Sequence, residues 1–72
     1  MNLTAIYEKS EFGFSAYIQE LEGVNTQGGT IEETRENLED ALSMIAEIKG
    51  IQSYEISKEV INDQSAEIHS SC

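Results

Sequence analysis

Carboxylates dominate the reactive groups of this chain: 14 Asp and Glu stand beside a single histidine, His69, and a single cysteine, Cys72. The chemistry such a set could perform is metal-assisted hydrolysis, which needs several acids converging on one spot. In a nuclease built that way one acid sits in the middle of the leading strand. The leading apolar alternation here runs Leu3 to Glu8, with Thr4-Ala5-Ile6 at its centre and Glu8 only at its end. A nucleophilic triad fares no better, because the one histidine lies in a polar tail with nothing rigid to orient it. Cys72 has no neighbouring base or cation to activate it. A structural zinc site wants four ligands, and only His69 and Cys72 supply nitrogen and sulfur. Gly28-Gly29-Thr30 opens a helix as phosphate-binding loops do, yet it lacks their glycine spacing and lysine, and Glu32, Glu33 and Glu36 would repel an anion. The expectation is a protein without catalytic residues, cofactor or metal.

Charge then narrows the partners. Lys9, Arg35, Lys49 and Lys58 are the only cations, scattered along the chain, and the net charge is −10. Phosphate backbones and anionic membranes are repelled by such a surface. A basic protein is attracted, and complementary charge speeds its association; solubility alone would also account for the acidity. MNLTAIYEKS has neither the basic start nor the apolar run of a signal peptide, and no stretch reaches transmembrane length. Cytoplasmic residence is expected.

The elements that must position these residues follow from periodicity. Leu3 to Glu8 and Phe14 to Gln19 alternate as antiparallel strands across a polar connection, Lys9 to Gly13. Glu20 to Gly23 reads as a turn and Val24 to Gln27 as a short third strand. Thr30 followed by Glu33 is a capping-box signature, hydroxyl to one orphan amide and carboxylate back to another. Behind it Ile31, Leu38, Ala41, Leu42, Ile45 and Ile48 fall near helical spacing, Lys49 suits the last turn, and Gly50 suits the C-cap. Tyr54 and Ile56 fit a strand or a helical turn, and Lys58 to Asn62 a short last strand. The domain is expected over residues 1–62, with 63–72 a frayed polar tail.

The order β-β-β-α-β implies a two-layer α+β domain: a three- to four-stranded, mainly antiparallel sheet packed on one helix. A domain this small gains little from its core. With no disulfide or zinc expected, a homodimer joined through sheet edges or faces is the remaining staple. On the helix exterior, Glu32, Glu36, Glu39 and Asp40 form an acidic face: a solvated surface, or the side offered to a partner.

One run carries a family likeness. Phe14 to Glu33, FSAYIQELEGVNTQGGTIEE, followed by Asn37-Leu38-Glu39-Asp40-Ala41-Leu42, resembles the HicB-like antitoxins. Their sequences commonly read G-[YF]-x-A-x-x-P-E-L-P-G-x-x-T-x-G-x-T-x-E-E-A, then N-L-x-x-A-L. Gln19 and Glu22 stand where prolines are usual, Gly29 where an acid is usual, and Thr34 where alanine is common. The resemblance implies a partial ribonuclease-H-like β-β-β-α-β fold without that enzyme's catalytic acids. It places Ala16 on the strand face toward the helix. It also implies a partner, a small basic HicA-type toxin that cleaves mRNA and is silenced in a complex. Many such antitoxins carry a DNA-binding domain after this core. With Cys72 the last residue, this chain is expected not to contact nucleic acid directly. The alternatives are an orphan HicB-like dimer of unknown ligand and a degenerate metal-dependent nuclease.

Overall fold

The computed structural model describes residues 1–63. Within them lie β1 (Asn2–Ser10), β2 (Gly13–Ile18), β3 (Asn25–Gly28), α1 (Ile31–Lys49) and β4 (Glu55–Asp63). The sheet runs β3-β2-β1-β4, antiparallel except for the parallel β1–β4 pair. The two-layer α+β order expected from the sequence is the one observed. The expected tail falls on residues 64–72, outside the described residues, while Asp63 closes β4.

Alternation decides the two faces of the sheet. Leu3, Ala5 and Tyr7 on β1 and Ala16 and Ile18 on β2 are buried toward α1, joined by Leu21 and Val24 from the turn and by Leu38 and Leu42 from the helix. Ala16 thus packs where the family likeness places it. The opposite face presents Ile6, with Tyr17 and Val60 as its register neighbours. Among the described residues no helix is long and apolar enough to cross a membrane.

Several boundaries move. β1 continues to Ser10 and pairs it with Gly13, so the expected Lys9–Gly13 connection shrinks to Glu11 and Phe12. Glu8 is therefore within β1 and not at its end, paired with Ser15 and Asn62 on the face away from the helix. Val24 precedes β3 as a buried turn residue, and Gly28 joins the strand.

The helix begins at its expected cap. Thr30 is extended, with φ −128° and ψ 165°, and its Oγ1 accepts the Glu33 amide at 3.1 Å. The returning bond differs from a capping box: Glu33 Oε1 accepts from the Gly29 amide at 2.6 Å, not from that of Thr30. Gly28 must approach this turn closely, since a Cβ there would lie 2.7 Å from Thr34 Oγ1 and 2.9 Å from Thr34 N. At the far end Gly50 takes φ 74°, its amide donating to Glu47 O while Ile51 N donates to Ala46 O, the Schellman arrangement.

The buried helical line is Thr34, Leu38, Leu42 and Ala46, at intervals of four. Ile48, expected in the apolar stripe, is 79% exposed beside Met44 at 61%. Thr34 is fully buried although polar, which its hydroxyl permits by donating to Thr30 O at 2.7 Å.

β4 is longer than the expected Lys58–Asn62 and includes Ile56. A bulge at Ser57 shifts the register from Leu3↔Ile56 to Thr4↔Lys58. Ile56 and Glu59, three apart, would face opposite ways in a regular strand. The extra residue turns both toward the helix layer, as partners of Leu3 and Ala5.

Candidate functional site

Three polar clusters hold the described structure together, and each ties distant segments. The first joins β1, α1 and β4. The buried Tyr7 hydroxyl donates to Glu59 Oε2 at 2.8 Å, and Arg35 grips the same carboxylate through Nε at 3.1 Å and Nη2 at 3.2 Å. The guanidinium also lies 5.9 Å from the Tyr7 ring centre, at the outer limit of a cation–π contact. Burial, then the Glu59 carboxylate, push the Tyr7 phenol up to about 12. Arg35 in turn holds the Glu59 carboxyl below its ordinary value. The ion pair is part exposed, 39% and 36% for the two side chains. Such a pair contributes at most about 1 kcal/mol.

The second cluster straps the β2–β3 turn to β1. Glu20 accepts the Thr4 amide at 2.7 Å and the Thr4 hydroxyl at 2.8 Å, while Thr4 O accepts from Gln19 N. These bonds hold the Glu20 carboxyl below its usual range. The third is the helix cap with Thr30, Glu33 and Thr34, steadied by Asn37 Nδ2 donating to Gln27 O at 3.0 Å. Among the described residues no buried side-chain nitrogen or oxygen lacks a partner. Sequence reading anticipates the cap, which is local, but neither of the other clusters. Tyr7, Arg35 and Glu59 lie on three elements, and their one advance signal is that Arg35 is the sole arginine.

The four acids singled out on the helix separate. All are exposed, but Glu39 alone of them lines the groove left between α1 and β4. α1 lies closest to β3 and β2, so the side of β4 facing the helix layer is only partly covered. The groove, about 340 Å³, is lined by Leu42, Tyr54 and Ile56, by Glu39 from the helix, and by Glu55 at the start of β4. Arg35, one turn before Glu39 on the same helix flank, reaches β4 at Glu59 beyond Ile56. Glu32, Glu36 and Asp40 do not line it and stand four residues apart along the exposed side of the helix.

Among the described residues no three His, Cys, Asp or Glu side chains gather as a metal-binding group. His69 and Cys72 lie outside the described residues. What the described arrangement offers chemically is an acidic exterior, a shallow groove beside Glu39, and polar side chains already engaged in holding the fold.

No curated protein and no solved structure matches the chain. Residues 3–45, more than half of the sequence, match the model of the UPF0150-like family. The matched segment runs from Leu3 in β1 to Ile45, about a turn before the end of α1, and includes the cap, the Thr4–Glu20 strap and Arg35. A HicB-related, antitoxin-like character attaches to that family, and this chain belongs to the UPF0150-like family.

Proposed function

We propose that the chain is a HicB-like antitoxin module, which binds a small basic HicA-type ribonuclease and silences it by forming a complex. The observation that carries the reading is the family match over a fold whose polar clusters are internally satisfied, leaving its surface acidity for an outside partner. A net charge of −10 raises the encounter rate with a basic protein and disfavours nucleic acid. The module acts by occupancy, not catalysis, in the cytoplasm, where mRNA and its ribonucleases meet. Co-expression with the product of the adjacent reading frame, expected to be a small basic protein, is the test. Growth arrest by that neighbour alone, relieved when this chain is made with it, is the expected result. Separate elution of the two proteins would count against the reading.

The module acts as a homodimer joined through its sheet, whose β3 and β4 edges carry no further strand among the described residues. Sedimentation at micromolar concentration reads this directly: a dimer is expected, and a stable folded monomer would remove it.

A further inference from the structure

A sheet edge offers a second chain its main-chain hydrogen bonds, and the two edges of this sheet differ. β3 supplies four residues, and its Gln27 carbonyl is already taken by Asn37. β4 runs for nine residues, and among the described residues no further strand lies beyond it. It also carries Ile61, 54% exposed, on the face that α1 only partly covers. The bulge at Ser57 leaves Lys58–Asp63 as the regular part of the strand.

Two identical strands paired antiparallel at their edges share a dyad at one residue, and that residue sets the register. Charge discriminates among the choices. A dyad at Lys58 or at Glu59 lays that residue against its own copy, like charge on like charge. A dyad at Ile61 lays Glu59 against Asp63, and one at Asn62 leaves only Ile61–Asp63 paired. A dyad at Val60 lays Val60 against itself, Lys58 against Asn62 and Glu59 against Ile61, so no like charges are directly opposed. The two Glu59 carboxylates then stand diagonal to each other, each already held by its own Arg35. The same register brings Ile61 of the two copies within reach of each other across the dyad.

We propose that two copies of the chain join β4 to β4, antiparallel about Val60, into one eight-stranded sheet with both helices on the same side. This rests on the homodimer reading and assigns its edge and register.

The test is sedimentation equilibrium of the full chain with position 62 substituted, a site exposed in the fold. Asn62→Lys sets a cation against Lys58 of the other copy, and Asn62→Glu sets a carboxylate there. Net charge alone predicts the reverse order, because each copy carries −10 and an added carboxylate raises their mutual repulsion. The dimer Kd is expected to rise about fivefold for Asn62→Lys and to fall about fivefold for Asn62→Glu, since each dimer contains the contact twice. Circular dichroism confirms that both variants are folded. Mild oxidation gives a second reading in a Cys72→Ser background. Val60→Cys should cross-link into a dimer, its Cα atoms being about 4.5–5.5 Å apart across the dyad, within disulfide range. Lys58→Cys should not. A dimer that follows net charge, that ignores position 62, or that cross-links as readily through Lys58→Cys would overturn the proposal and leave the homodimer standing. A folded monomer at every concentration would remove both.

Discussion

Thr30→Ala is the sharpest perturbation of the fold, because the structure limits what it removes. One bond is lost, from the Glu33 amide to Thr30 Oγ1 at 3.1 Å. Thr34 Oγ1 donates to the Thr30 backbone carbonyl, and Glu33 Oε1 accepts from Gly29, so both of those bonds survive the substitution. The freed amide lies at an exposed helix end where water can reach it, which places the cost near the middle of the range for caps, about 1 kcal/mol. In a domain of this size that lowers the melting temperature by roughly 4–8 °C. Urea unfolding followed by circular dichroism should show a lower midpoint with an unchanged slope. Thr30→Ser retains the oxygen and should restore the midpoint. An unaltered midpoint for Thr30→Ala, or an equal loss for Thr30→Ser, would refute the assignment of the stabilisation to this hydroxyl.

Three further outcomes follow from the same contacts. Tyr7 is neutral in the fold and its phenol is raised to about 12; its stabilising contribution is complete below the unfolded value of about 10 and is lost as pH rises through the folded one. Absorbance titration should show a late tyrosine step coinciding with unfolding, absent in Tyr7→Phe; a Tyr7→Phe curve identical to wild type would contradict it. Glu20 and Glu59 are lowered, so their contribution is present above the unfolded value of about 4.3 and disappears as pH falls through the folded values. Glu20→Gln should flatten the acid limb of the stability curve, and an unchanged limb would show that the Thr4 strap is not the cause. Purified protein incubated with RNA or DNA in magnesium or manganese should leave both intact; metal-dependent cleavage that follows the protein through purification would favour a nuclease instead.

What the sequence discloses depends on how far apart the cooperating residues lie. Thr30 with Glu33, and Lys49 with Gly50, declare the ends of α1 because capping is decided within a turn of chain. Leu3, Ala5 and Tyr7 declare β1 by alternation. β4 hides because the Ser57 bulge breaks that alternation, setting Ile56 and Glu59 on one face at an odd spacing. Its pairing with β1 is also parallel and more than fifty residues distant, so no hairpin turn marks it. Ile48 is misjudged because residue type cannot reveal that the buried line runs through Thr34 and Ala46. Thr34 carries a hydroxyl, yet the Thr30 carbonyl makes its burial tolerable. At the candidate site Glu39 was visible among the helix acids. Its partners in the groove, Tyr54, Glu55 and Ile56, were not, since only the path of the chain after Gly50 brings them there.

The measurement that bears most directly on the central claim is the interaction of the purified chain with the product of the adjacent reading frame, expected to be a small basic ribonuclease, followed by titration calorimetry and by mRNA cleavage in the same mixtures. The account predicts saturable binding that weakens as salt is raised, with cleavage falling in step with complex formation. A neighbour that cleaves mRNA equally well with the chain in excess, or that shows no heat of binding at low salt, would contradict it.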